Sequence, residues 1–485
     1  MSFDTLNYYI FFPLFFLAYW LFPFRWRVPL MLVGSYYFYA CVKPIYLILI
    51  VFSTLVDYFC SRKIESGISK KKYLWISLGV NLSLLSIFKY LDFSIAVLND
   101  LISLMNFDYS IPLQKLEFPI GISFYTLQTL SYTIDVYRGD IPAEKNIFKF
   151  SLFVCFFPQL VAGPLERAGK LLPQFSQKRE FNYDRAVDGI LLILWGLIKK
   201  TVVSDRLVLI IESVYKNENH SYSGIHFALV GLMISAKFYG DFSGYSDMAV
   251  GSAKLLGIEL SKNFDIPFWS TSITKFWRKW HVTLSNWLHD YLYLAFPISK
   301  TNRNAPVRYL AVLAVFIVSG LWHGPAWTFV IWGTINGVLC LIYMYTSRIR
   351  DEIANLMGFQ FIPSAIKGII SVAITNTLVG FTMIFFMSPN LKFATSFLRK
   401  VFSEFSLLRF EDFLKAYGYF QNDLIIATVV IAIIELLNFA KNKNMKFTNI
   451  RCMPIWFRWP TYIVGLSIFL ILSYTEKSAF SYFYY

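Results

Sequence analysis

"RYLAVLAVFIVSGLWHGPAWTFVIWGTINGVLCLIYMYTSR", residues 308–348, decides what kind of fold this chain can have. Between Arg308 and Arg348 there is no aspartate, glutamate or lysine and no further arginine. Crossing a hydrocarbon core of about 30 Å takes roughly 20 helical residues, so the run is long enough to be embedded in a bilayer. His323 is the one residue in it that titrates near neutral pH. A helix running from Arg308 places it roughly 22 Å along, deep in such a core. Gly324 and Pro325 follow at once. Proline removes a backbone donor, and Gly320 and Gly324 let the chain bend or another group approach closely. A helix break beside an intramembrane histidine is the composition of a cavity wall. Such a residue is a functional-site hypothesis by default. The plainer reading is a neutral imidazole that satisfies a carbonyl freed by the break.

The rest of the chain agrees about the solvent. With 56% hydrophobic and 15% charged residues over 485 positions, and a mean hydropathy of +0.51, the lipid bilayer is its main partner. A net charge of +15 could suggest nucleic acid, but the basic residues cluster between apolar segments, as cytoplasmic loops do, so no nucleic acid is expected. Cys41, Cys60, Cys155, Cys340 and Cys452 are scattered without a C-x-x-C pair, which indicates neither a disulfide framework nor a metal site.

Apolar runs recur at 7–23, 28–42, 44–60, 73–91, 118–137, 147–162, 189–211, 225–240, 309–345, 365–387, 424–440 and 460–475. The expected fold is an all-α polytopic membrane protein with about ten to twelve membrane-embedded helices, some of them re-entrant or interfacial because Gly-Pro or Pro interrupts them. No repeat or soluble domain is visible, so one membrane domain over residues 1–485 is the economical reading. Loop 61–72, "SRKIESGISKKK", holds five basic residues against Glu65, whereas the stretch after the next span holds Asp92, Asp100, Asp108 and Glu117 against Lys115. The first is expected in the cytoplasm and the second outside. The N-terminus, with Asp4 and no basic residue before Arg25, then falls outside, and the missing basic n-region predicts no cleavable signal peptide. "AKNKNMKFTNIR", residues 440–451, is basic without an acid and is also expected inside.

A second histidine lies in "ITKFWRKWHVTLSNWLHDYLYLAF", residues 273–296. Trp277, His281, Leu284, Leu288, Tyr291 and Ala295 recur at spacings of three and four, which predicts a helix with His281 on its apolar face. Lys275, Arg278 and Lys279 form the opposite side, suited to headgroups or to an anionic ligand. A core role for His281 and a lipid-snorkelling role for the basic residues are the competing readings.

The runs "DFSGYSDMAVGSAKLLGIEL" (241–260), "NFDIPFWSTSITKFWRKWHVTLSNWLHDYLYL" (263–294) and "SGLWHGPAWTFVIWG" (319–333) resemble the signature of the membrane-bound O-acyltransferase family. "FPIGISFYTLQTLSYTIDVYRG" (118–139) and "FFPQLVAGPLERAGKLLPQF" (156–175) are similar to its bacterial branch, above all the alginate-acetylation type. The resemblance covers about residues 118–337. It implies that His323 is the catalytic histidine and that His281 is the second family histidine, near the acyl tunnel. It also implies a thioester donor, acetyl-CoA or another acyl thioester, with no bound cofactor. The acceptor would be an extracytoplasmic polysaccharide or a periplasmic partner of the SGNH-hydrolase type that passes the acetyl group on. Other members carry a Gly-Gly-Asn-Arg turn; here "FPISKTNRN" keeps Asn302 and Arg303 without the glycines.

Such a transfer needs a base for the hydroxyl proton, and neutral imidazole suits it. The indole N–H of Trp322 and a backbone N–H freed at Gly324-Pro325 are candidate oxyanion donors. Two readings from other classes remain at this point. In a proton-coupled transporter His323 would be a relay, which predicts repeats and further intramembrane carboxylates; the clearest such acid, Glu435, is close enough to Lys441 to reach the interface. The other is a non-catalytic scaffold of an exopolysaccharide complex. The topology has its own test. A cysteine placed in loop 61–72 of intact cells is expected to stay unlabelled by an impermeant thiol reagent, and strong labelling from outside would reverse the orientation.

Overall fold

The computed structural model describes residues 1–216, 222–297, 305–356, 358, 361–403, 410–442 and 454–473. Among these, all regular structure is helical. Lipid cannot hydrogen-bond a backbone, and helices satisfy theirs internally. Among the described residues, six helices are long and apolar enough to cross a membrane: Lys70–Leu104, Pro306–His323, Trp327–Tyr345, Ser364–Met387, Gln421–Ala440 and Ile455–Leu472. Leu6–Leu21 is apolar but shorter.

Two of the apolar runs fold differently from simple spans. Residues 147–162 form the short helices Ile147–Cys155 and Phe157–Leu160, and every residue from Phe150 to Glu166 is buried. Pro158 in the first turn of the second helix has no N–H to continue the ladder of the first. The apolar character of this run serves a protein interior. Residues 189–211 fall on helix Tyr183–Leu197, a π-helical turn Ile198–Ser204 and helix Asp205–Lys216.

The chain forms two compact units, Met1–Leu194 with Tyr245–Lys262, and Trp195–Gly244 with Asn263–Tyr485. In the first, Asp57 on helix Tyr46–Glu65 is buried and accepts from Ser77 Oγ at 2.5 Å and from Asn81 Nδ2 at 2.9 and 3.0 Å. Both donors sit on helix Lys70–Leu85, so one carboxylate ties two helices. Near the N-terminus, Tyr8 Oη and Ser252 Oγ are 2.5 Å apart, and the Tyr8 ring packs edge-on against Phe3 at 4.9 Å.

In the second unit, helices Ala305–His323 and Trp327–Tyr345 form a tight hairpin. Their backbones touch where Gly320 faces the Phe329 carbonyl and Gly333 faces the Phe316 carbonyl, with no space for a Cβ on either. Small residues are the usual means by which helices approach in membranes, where packing rather than hydrophobicity drives association. Gly231 and Gly380 do the same for helices Gly224–Leu255 and Ser364–Met387: a Cβ on Gly231 would meet the Gly380 carbonyl oxygen at 2.7 Å.

A buried set of charges holds helix Gly224–Leu255 to the π-helical turn. Lys200 Nζ lies 2.8 Å from Asp205 Oδ1 and 3.0 Å from Asp241 Oδ1, and Lys237 Nζ lies 3.5 Å from Asp241 Oδ2. All four are buried. Glu435 on helix Gln421–Asn442 is buried as well, near Tyr239 and Asn438. Charges buried in this way depend on one another, because removing one leaves its partner desolvated without compensation. Lys200→Met should therefore cost about 3–5 kcal/mol of stability. Thermal unfolding of the detergent-extracted protein checks this, and a melting temperature equal to wild type would show that the four charges are not a unit.

Candidate active site

The helix Ala305–His323 ends on the histidine, and Trp327–Tyr345 begins after Gly324, Pro325 and Ala326. This is the break that the Gly-Pro pair predicts. His323 is buried, with its ring 5.0 Å from Trp322, 5.3 Å from Trp332 and 5.0 Å from Phe386. It lines a cavity of about 20 Å³. Phe238 and Phe242 on helix Gly224–Leu255 and Met383 and Phe386 on helix Ser364–Met387 supply much of the wall, and Trp280 and Trp332 complete it. The wall has no charged side chain. A space of this size admits one or two water-sized groups.

His281 is placed by a different device. The segment expected to be one helix over 273–296 is two, Ile273–Lys279 and Val282–Tyr291, and His281 caps the second with φ 45°. A non-glycine residue in that conformation persists only where its surroundings hold it. Here Asn263 does so. Its carbonyl oxygen accepts the Val282 N–H at 2.9 Å, and the Asp265 N–H donates to the Lys279 carbonyl oxygen at 2.9 Å. Its side-chain Oδ1 lies 2.9 Å from His281 Nδ1 and accepts the Thr283 hydroxyl, also at 2.9 Å. Because Oδ1 can only accept, His281 carries its proton on Nδ1 and the lone pair on Nε2. Burial pushes the imidazole down to about 3, so it is neutral at physiological pH. The His281 ring packs 4.6 Å from Phe242 and 5.9 Å from Trp322, whose own ring neighbours His323. Trp322 thus lies against both histidines.

The remaining sequence candidates separate. Lys275 and Arg278 are exposed, with Lys275 Nζ on Thr271 Oγ1 at 3.0 Å, and neither lines the cavity. Asn302 and Arg303 lie outside the described residues. Among the other described histidines, His226 Nδ1 takes the Ser223 N–H at 3.1 Å and His289 is exposed beside Asp290. Asn263 was legible only as the first residue of the second quoted motif. Phe242 was legible only as the second residue of the first quoted motif, and nothing in the sequence pointed to Phe238, Met383 or Phe386, which reach the histidine from remote helices. A wider, open cleft of about 600 Å³ in the first unit is lined by Ser69, Lys70, Lys71, Lys72 and Tyr137. It holds no group suited to general-base work, and it has the character of a basic headgroup-facing surface.

Asp57, Glu166, Asp205, Asp241 and Glu435 are all buried, so buried acids are more numerous than the sequence suggests. Asp57 is held by hydroxyl and amide donors, and Asp205 and Asp241 by Lys200, which leaves these three as braces.

Comparison with known proteins decides between enzyme and carrier. The model of the membrane-bound O-acyltransferase family matches residues 141–388. The chain is 33% identical over 440 residues to the protein named Probable alginate O-acetylase AlgI of Pseudomonas putida, covering 90% of this chain and 87% of the relative. It is 33% identical over 408 residues to the Peptidoglycan O-acetyltransferase of Helicobacter pylori, covering 78% and 73%. With the Teichoic acid D-alanyltransferase of Bacillus subtilis it shares 27% over 237 residues, 47% of this chain and 60% of the relative. The cavity at His323 and the neutral, pinned His281 therefore lie in a polytopic O-acyltransferase: the chain belongs to the membrane-bound O-acyltransferase family.

Proposed function

We propose that this enzyme sits in the cytoplasmic membrane and moves an acetyl group from a cytoplasmic thioester, acetyl-CoA or another acyl carrier, to an extracytoplasmic hydroxyl. The hydroxyl belongs to a polysaccharide, or to an SGNH-type periplasmic partner that modifies one. The observation that carries this reading is His323 at a helix break, lining a small uncharged cavity. The names of the relatives, an alginate O-acetylase and a peptidoglycan O-acetyltransferase, support a glycan acceptor. The size and apolar character of the wall support acetyl over an alanyl group, whose ammonium would have no counter-charge there.

In this reading His323 takes the proton as the hydroxyl attacks the thioester carbon, and later returns it to the leaving thiolate. A positioned base contributes about 10²- to 10⁴-fold, with the rest supplied by juxtaposition and by donors to the oxyanion. His281, neutral and fixed in one tautomer, offers an acceptor nitrogen that orients donor or acceptor.

Two experiments test the assignment. In inverted membrane vesicles supplied with labelled acetyl-CoA, His323→Ala should lower acetyl-ester formation at least about 100-fold while expression and thermal stability hold. His281→Gln should reduce the rate without loss of the protein from the membrane. A stable His323→Ala retaining more than about a tenth of the activity is outside the general-base range and would make the residue structural. The acyl size has a separate test. Met383→Ala should enlarge the cavity and raise propionyl relative to acetyl transfer, and an unchanged ratio would detach acyl selection from this wall.

A further inference from the structure

Trp332 is 2% exposed and stands in the first half of helix Trp327–Tyr345. Its indole Nε1 is shielded from solvent and meets no acceptor among the described residues. Buried donors in that condition are uncommon in native folds, because burial removes their water and puts nothing in its place. The ring has no freedom to correct this. It is wedged between Trp277 at 5.4 Å and Phe386 at 5.0 Å, and the adjacent Gly333 is pressed against the Phe316 carbonyl of the neighbouring helix. The same ring lines the cavity at His323 and stands perpendicular to the imidazole, 5.3 Å from it. Trp277 Nε1 is also buried without an acceptor, but Trp277 does not line the cavity. Trp322, the donor that the sequence brings forward, does not line it either.

We propose that Trp332 is the oxyanion donor of the reaction: its Nε1–H is a held, unspent hydrogen bond that the thioester carbonyl oxygen receives. The assignment rests on the reading of His323 as the base. As the acceptor hydroxyl oxygen forms its bond to the thioester carbon, the carbonyl π pair moves onto oxygen, where the indole N–H meets it. The hydroxyl proton goes to His323. When the tetrahedral adduct collapses, the oxygen pair re-forms the carbonyl, the carbon–sulfur bond breaks, and the thiolate leaves with the proton from His323. The products are the acetyl ester and the free thiol. A donor fixed before charge develops needs no reorganisation during the step, which is what makes such groups effective.

An unpaired donor also makes an unusual prediction about stability. Trp332→Phe removes the N–H together with part of the indole, so relief of an unsatisfied donor offsets some of the cost of the cavity left behind, and the melting temperature should fall no further than in Trp277→Phe, which loses the same atoms. Over the same vesicle assay with labelled acetyl-CoA, the maximal rate per enzyme should fall about 10²- to 10³-fold, with the KM for acetyl-CoA changed by less than about threefold, since the interaction is made in the transition state. Trp277→Phe, which removes another buried indole N–H without an acceptor, should keep the maximal rate. Trp332→Phe at more than about a tenth of the wild-type rate, or with stability lost in step with activity, overturns the proposal. His323→Ala separates the two levels. If it is inactive while Trp332→Phe is fully active, only the donor assignment fails; if it is active, the reading of the site fails with it.

Discussion

Hydrocarbon offers no hydrogen-bond partner, so every polar group of this chain inside the membrane has to find one within the protein. The helices meet that demand for the backbone. Some of the side chains meet it in groups: Asp57 with Ser77 and Asn81, and Lys200 with Asp205 and Asp241. Several buried side-chain atoms among the described residues still lack a partner, and around His323 one of them, the indole N–H of Trp332, stands beside a cavity where a helix stops.

The geometry of the cavity follows from how closely the helices approach. Gly320 with Gly333, and Gly231 with Gly380, bring backbones to distances that a side chain would forbid. Large rings then fill the space beside those contacts, and the gap they leave at His323 is about 20 Å³. Lys200, through Asp241, anchors the helix stretch that carries Phe238 and Phe242. Charge pairing on one face of that helix thus supports the aromatic wall on another.

The two histidines are prepared in different ways. His281 is tied through Nδ1 to Asn263 and is kept neutral by burial, so its chemistry is that of an acceptor nitrogen. The ring neighbours of His323 are aromatic: Trp322, Trp332 and Phe386. An imidazole among rings beside a small cavity can exchange a proton with whatever occupies that cavity.

The uncharged run from Arg308 to Arg348 was enough to establish a membrane helix pair around one histidine, because length and hydropathy are local properties that lipid reads directly. The Gly324-Pro325 break was equally legible, since proline removes its donor in any context. Periodicity misled at 273–296, where Asn263 captures His281 and Val282 and splits the expected helix. The run at 147–162 shows the kind of proline interruption that the sequence predicts, as two short buried helices. Which tautomer His281 adopts, which rings wall the cavity and which indoles are left without an acceptor are all decided by contacts between residues far apart in the chain. Trp322 and Trp332 are both tryptophans in one motif, and only the packing of Phe386 and Trp277 around the second distinguishes them. A sequence pattern records which groups are available, whereas hydrogen-bond satisfaction is a property of the assembled interior.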